Sequence, residues 1–272
     1  MSLLKIDVES LKIAYRNPRI HLKPVSAMIT YEENMLATGD EDGIVKIWDM
    51  RQEKECFSLH DNEDFISDMS YNPGQKLLLA AGGGGYLSVF NPRKGRLEAR
   101  SDHMDDELLS VKWICGGKNA IVGTTEGVLN FWKAGDWGNI STRFPGHPES
   151  VDSIVVIDEH TVVTGSSDGM LRIVSCLPNQ LLGLVGEHGD FPIESVRMSR
   201  NKNFLASASH DNRIKFWNID YLFEDEEDEG EQAPMEVEEM EEVDNSGRSV
   251  GFGGTELSKK KEKKKQFFSG LE

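Results

Sequence analysis

A repeat of 42 residues restricts this chain more than any other feature of its sequence. Trp48-Asp49, Phe90-Asn91, Trp132-Lys133, Val174-Ser175 and Trp217-Asn218 succeed one another at intervals of 42, 42, 42 and 43 residues. Five or six residues before each stands a turn pair: Asp42-Gly43, Gly84-Gly85, Glu126-Gly127, Asp168-Gly169 and Asp211-Asn212. Small, apolar stretches precede these turns, as in LATG (36–39), VVTG (162–165) and LASA (205–208). Further upstream sits a histidine in every period: His21, His60, His103, His147 and His188. Asp-Gly and its relatives supply the positive φ of a tight hairpin turn, and the flanking segments are short enough to be strands. Four such strands per period make a small sheet that cannot bury both faces alone. Sheets ranked around an axis bury one another.

These residues and this period resemble the WD-repeat family over about residues 2–220. The resemblance implies an all-β fold, a β-propeller. It also implies a hydrogen-bonded set of Trp, Ser or Thr, Asp and His inside each blade. Carried over residue by residue, His21, Thr38, Asp42 and Trp48 form the set in the first full blade, and His188, Ser207, Asp211 and Trp217 in the last. Phe90 and Gly84 replace Trp and Asp in the second period, Glu126 replaces Asp in the third, and Val174 replaces Trp in the fourth. Those blades are expected to rely on packing.

Stepping 42 residues back from Trp48 reaches Ile6-Asp7, so residues 4–7 read as the end of a third strand and 11–14 as a fourth. The expectation is a partial blade over 1–19, five WD repeats over 20–220 and a disordered tail over 221–272. Against the seven-bladed ring usual in the family, this reads as an N-terminally shortened form. A five- or six-bladed ring is the alternative.

Charge is uneven. The chain carries −17, of which residues 220–272 contribute 17 acids against 7 bases. Their acidic stretch over 223–244 has too little apolar content to offset ordering entropy. The Lys259, Lys260, Lys261, Lys263, Lys264 and Lys265 cluster that follows reads as a nuclear import signal, weighed against a plain solvated charge run. An acidic body favours basic partners over nucleic acid, and direct RNA contact stays open. No apolar run approaches the ~20 residues of a membrane helix. Cys56, Cys115 and Cys176 lack metal-ligand or redox spacing and read as free thiols.

Chemistry-bearing patterns are few. Gly82 to Gly85 falls where every period has its turn, with no following Lys-Ser or Lys-Thr for a phosphate loop. Ser209-His210-Asp211 are sequence neighbours, which is poor geometry for a relay. The five histidines are spaced by blade and not as metal ligands. No cofactor, metal or catalytic residue is expected, and the chain reads as a scaffold rather than an enzyme.

Two partner classes remain. The strings ENMLATGDEDGIVKIWDMR (33–51), QKLLLAAGGGGYLSVFN (75–91), VVTGSSDGMLRIVSCLPNQLLGLVGEH (162–188) and FLASASHDNRIKFWNI (204–219), with FFSGL (267–271), resemble one branch of the family. That resemblance implies the nucleolus, ribosomal RNA maturation, and pre-ribosomal assembly factors or ribosomal proteins as partners, with the cytoplasm as a second compartment. Separately, Trp48-Asp49-Met50-Arg51 has the W-D-x-R form of propellers that dock, through the Arg, onto the damaged-DNA-binding adaptor of cullin-RING ubiquitin ligases. Trp48, Asp49 and Arg51 are the partner-binding candidates, against a plain solvated Arg after a strand.

Overall fold

A computed structural model describes residues 2–223. Strands β1 (Ser2–Asp7) and β2 (Lys12–Pro18) form a two-stranded antiparallel sheet. Blade 1 comprises β3 (Val25–Tyr31), β4 (Met35–Asp40), β5 (Val45–Asp49) and β6 (Lys54–Leu59). Blade 2 comprises β7 (Ile66–Asn72), β8 (Leu77–Gly82), β9 (Ser88–Asn91) and β10 (Arg96–Arg100). Blade 3 has β11 (Leu108–Ile114), β12 (Asn119–Thr124), β13 (Val128–Lys133) and β14 (Thr142–Pro145). Blade 4 has β15 (Val151–Val156), β16 (Thr161–Ser166), β17 (Met170–Ser175) and β18 (Gln180–Glu187). Blade 5 has β19 (Ile193–Met198), β20 (Phe204–Ser209) and β21 (Ile214–Asn218). Each sheet is an antiparallel meander, and the whole is a WD-repeat β-propeller architecture. The fifth repeat differs from the full blade expected of it: among the described residues it holds three strands.

The repeating turn explains its residues. Gly43 has φ +77°, and a side chain there would meet the Asp64 carbonyl of the next blade's loop at 2.6 Å. Gly169 has φ +78° and lies against the backbone of Gly189 in the same way. The turns of blades 1 to 4 thus need a residue that is both left-handed and without a side chain. Asn212 takes this position in blade 5 with φ +62°.

Cores form between consecutive sheets, not within them. Val45, Ile47 and Leu59 of blade 1 close on Ile66, Met69 and Phe90 of blade 2, and similar layers join blades 2 to 3, 3 to 4 and 4 to 5. Leu3 of β1 reaches Leu36 and Trp48 of blade 1. Every inner strand begins with a bulge, and serines beside it latch neighbouring blades. Ser26 Oγ donates to Ile66 O at 2.6 Å, Ser67 Oγ to Leu108 O at 2.5 Å and Ser110 Oγ to Val151 O at 2.9 Å. Ser153 Oγ accepts from Val196 N–H at 3.0 Å.

Candidate functional site

Blades 1 and 5 contain a closed polar set. In blade 1, His21 Nδ1 lies 2.6 Å from Asp40 Oδ2, and Nε2 lies 2.7 Å from Thr38 Oγ1. The Trp48 indole N–H donates to the same Thr38 oxygen at 2.9 Å. A neutral imidazole with its proton on Nδ1 satisfies all of these: it donates to Asp40 and accepts the Thr38 hydroxyl proton. Burial holds the His21 pKa below its usual value despite the Asp40 carboxylate, which suits that form. The second Asp40 oxygen accepts the N–H groups of Asp42 and Ile44 at 3.1 and 2.9 Å. Asp42 is therefore not the acid of this set. It faces solvent, 3.6 Å from Lys23, and Asp40 at the strand end takes the expected role. In blade 5 the structure brings His188, Ser207, Asp211 and Trp217 together. His188 meets Asp211 at 2.8 Å and Ser207 at 2.7 Å, and Trp217 donates to Ser207 at 2.8 Å.

The middle blades depart in different ways. His60 and His103 are exposed and do not enter the blades. Asn62 fills the position in blade 2, where its Oδ1 accepts the Ser88 hydroxyl at 2.5 Å. Met104 fills it in blade 3, with Asn130 Nδ2 donating to its sulfur at 3.6 Å. Val122 stands where blade 1 has Thr38, so the buried Trp132 indole N–H has no protein acceptor. In blade 4, His147 Nε2 meets Thr164 Oγ1 at 2.8 Å. Asp168 does not complete that set, because Arg172 holds both its oxygens, at 2.9 and 2.5 Å. His147 Nδ1 is buried without a protein partner. Burial, and then the nearby Arg172 charge, push the His147 pKa down to about 4.

The W-D-x-R segment lies at the end of β5. Trp48 is interior and cannot meet a partner, and Asp49 is also buried. Arg51 is the accessible member, with its side chain 65% exposed. Its Nε and one terminal nitrogen donate to the two Asp49 oxygens at 3.0 and 2.7 Å, and its backbone N–H donates to Oδ1 at 2.9 Å. These bonds to Arg51 hold the Asp49 pKa at about 2. The guanidinium fork is thus already engaged within the chain, and its free edge points outward.

The remaining polar groups are spent locally. Ser209 Oγ donates to Phe191 O at 3.2 Å, His210 pairs with Glu194 at 2.8 Å, and Asp211 holds His188, so these neighbours form no relay. Gly85 closes the blade 2 turn by donating to Gly82 O at 3.3 Å. The inner strands line an open polar cavity of ≈ 330 Å³ that includes Ser26, Asp68, Asp152, Glu194 and Arg197. Asp68 accepts Val111 N–H and pairs with Lys112, while Asp152 accepts the Ser150 and Ser167 hydroxyls. Among the described residues no three His, Cys, Asp or Glu side chains are placed to hold a metal, and no helix is long and apolar enough to cross a membrane. The acidic stretch, the lysines Lys259 to Lys261 and Lys263 to Lys265, and residues 267–271 lie outside the described residues.

Comparison with known proteins agrees with this architecture. The model of the WDR55 family matches residues 1–222. WD repeat-containing protein 55 of Mus musculus is 38% identical over 217 residues, covering 80% of this chain and 56% of that protein. WD repeat-containing protein JIP5 of Cryptococcus neoformans is 39% identical over 211 residues, covering 76% of this chain and 56% of that protein. WD repeat-containing protein 55 of Arabidopsis thaliana is 36% identical over 224 residues, 82% of this chain and 63% of that protein. The chain thus spans a little over half the length of the curated relatives it matches. With blade order, turn chemistry and sequence in agreement, the chain belongs to the WDR55 family of WD-repeat proteins.

Proposed function

We propose that this chain is a non-enzymatic interaction scaffold of the nucleolus, acting in ribosomal RNA processing and ribosome biogenesis. The observation that carries the reading is the likeness to WD repeat-containing protein 55 across four-fifths of the chain. Protein–protein interaction is the general work of the WD-repeat fold, and the branch resemblance points to pre-ribosomal assembly factors or ribosomal proteins. An acid-rich chain suits such basic partners. The polar groups of blades 1 and 5 are occupied in holding the blades, which leaves loops and edges as contact surfaces. Affinity purification of the tagged full chain from nucleolar extract, with mass spectrometry, tests this. Pre-ribosomal proteins are expected above an unrelated tagged propeller, together with accumulation of precursor ribosomal RNA on depletion. Equal recovery from both baits and unchanged precursor levels would sink the reading.

A second reading, docking onto a ubiquitin-ligase adaptor, is favoured by the exposed Arg51 held in one orientation by Asp49. Its unpaired N–H groups can meet a partner carbonyl or carboxylate without breaking the internal pair. Truncating an interface Arg hot spot costs about 2 kcal/mol or more, whereas surface changes shift stability by less than about 0.5 kcal/mol. Arg51→Ala is therefore expected to weaken adaptor capture while leaving melting nearly unchanged, and Arg51→Lys to restore little. Absence of binding between the purified adaptor and intact protein would end this reading.

A further inference from the structure

Blades 4 and 5 hold the same three kinds of group at corresponding places. His147, Thr164 and Asp168 in the one answer to His188, Ser207 and Asp211 in the other. In both, the imidazole Nε2 meets the hydroxyl, at 2.8 Å in blade 4 and 2.7 Å in blade 5. In blade 5 Nδ1 then closes on Asp211 Oδ2 at 2.8 Å. In blade 4 the Arg172 fork takes both Asp168 oxygens instead, at 2.9 and 2.5 Å. This ion pair is almost closed to solvent, with side chains 11% and 14% exposed. Lys215 stands in blade 5 where Arg172 stands in blade 4, and its ammonium donates to the carbonyl of Glu187 at 3.0 Å. A flexible point charge leaves the carboxylate free for the imidazole, whereas a planar fork matched to it holds on.

The orphaned imidazole nitrogen is a place for a proton. Thr164 Oγ1 donates to Arg172 O at 3.4 Å, so its oxygen accepts the His147 Nε2–H and leaves the lone pair on Nδ1. That nitrogen is buried without a protein partner. A proton added there creates an N–H that needs an acceptor, and blade 5 shows a carboxylate at this turn position reaching Nδ1. The charged groups facing His147 are Arg172 from β17 and Asp168 from the β16–β17 turn. Thr164 from β16, the Phe144 ring from β14 and the Gly127 backbone from the blade 3 turn are neutral.

We propose that Asp168 is a two-position latch, held by Arg172 while His147 is neutral and turned to Nδ1 of His147 when that imidazole takes up a proton. The swap completes the polar set of blade 4 as it stands in blade 5, with Nε2–H still donating to Thr164. It also turns the guanidinium of Arg172 toward solvent beside the Asp168-Gly169 turn. Acid thus adds a proton to the interior and presents an arginine at the surface in one step.

The test is nitrogen NMR of the full chain, read at the His147 ring. In the wild-type chain at pH 7, Nδ1 should give the signal of a bare nitrogen and Nε2 that of an N–H. Arg172→Met keeps the stem and removes the fork. Asp168 should then turn to His147, so that Nδ1 becomes protonated and the His147 midpoint rises by about one pH unit or more, a tenfold gain in proton affinity. Adding Asp168→Ala should return Nδ1 to the bare form. An Nδ1 that stays bare in Arg172→Met overturns the proposal even where the midpoint rises, because Arg172 then acts only as a nearby charge. A wild-type Nδ1 already protonated at pH 7 overturns it too. On acidifying the wild-type chain, the guanidinium signals of Arg172 should move with the same midpoint as His147, while those of Arg51 stay constant. Arg172 signals that do not follow His147 also sink the latch.

Discussion

Blades 1 and 4 are built from nearly the same residues, yet one closes its polar set and the other does not. Both have a buried His and a buried Thr in contact, His21 with Thr38 and His147 with Thr164. Blade 1 adds Trp48 as a donor and Asp40 as an acceptor. Blade 4 has Val174 in place of the Trp, and its Asp168 is held by Arg172. Blade 3 fails from the other side, keeping Trp132 but offering it Val122. The repeat therefore specifies a backbone and an apolar layer in every described blade, while the polar set is optional: blade 4 lacks the Trp and the free Asp, and blade 3 lacks the His and the Thr. An incomplete set is costly, because a buried group left without a partner forfeits its hydration.

The largest effect should come from the layer that all blades share. Trp132 is fully buried between blades 2 and 3, and Trp→Ala changes in cores cost about 3–5 kcal/mol. Trp132→Ala should therefore lower the urea midpoint more than Trp217→Ala, since Trp217 is only half-buried. Equal midpoints would show that the polar set outweighs the layer.

Acid should act next, and chiefly through blade 4. Folded His147 stays neutral down to about pH 4, whereas its unfolded value is 6.5. Between these values the unfolded chain binds more protons, so stability is full above about pH 6.5 and falls as pH drops toward 4. The loss reaches about 3 kcal/mol for a shift of this size. His21 contributes with the same sign. Urea titrations from pH 7 to 4.5 should show this slope, and His147→Gln should flatten much of it. An unchanged slope in that variant would place the acid sensitivity elsewhere.

Removing a hydroxyl should separate the two blades more finely. Thr38→Val strips a partner from both His21 and Trp48, whereas Thr164→Val strips one from His147 and otherwise removes only a long, 3.4 Å bond to the Arg172 carbonyl. With about 1–3 kcal/mol for each buried group left unpaired, the blade 1 change should cost roughly twice as much. Melting curves of the two variants read the ratio directly. The smallest effect is a gain. Val122→Thr gives the Trp132 indole an acceptor in nearly the same volume and should add about 1 kcal/mol. If it destabilises instead, the site around Trp132 lacks room to orient the new hydroxyl.

Much of this was legible from spacing, and the failures have physical causes. The 42-residue period located the strands because Gly at the turn answers two demands, positive φ and a close neighbouring loop. The histidine positions were less legible. Residue type pointed to His60, 39 residues after His21, and to His103, 43 residues further on, while the chain brings inward Asn62 and Met104, which keep nearer the period at intervals of 41 and 42 residues. Two aspartates compete for one role in blade 1, and only burial separates Asp40 from Asp42. The Asp49–Arg51 pair was hidden because residues two apart meet only where the strand ends and the chain turns back on itself.

The placement of the apolar layers between sheets has a consequence for how the molecule comes apart. Each described blade is coupled to the sheets beside it through a separate apolar layer. Coupling of this nearest-neighbour kind behaves like a row of interacting spins, in which a perturbation decays with each step. A cavity opened in the layer between blades 3 and 4 should therefore loosen those two sheets most and leave the layer between blades 1 and 2 nearly untouched.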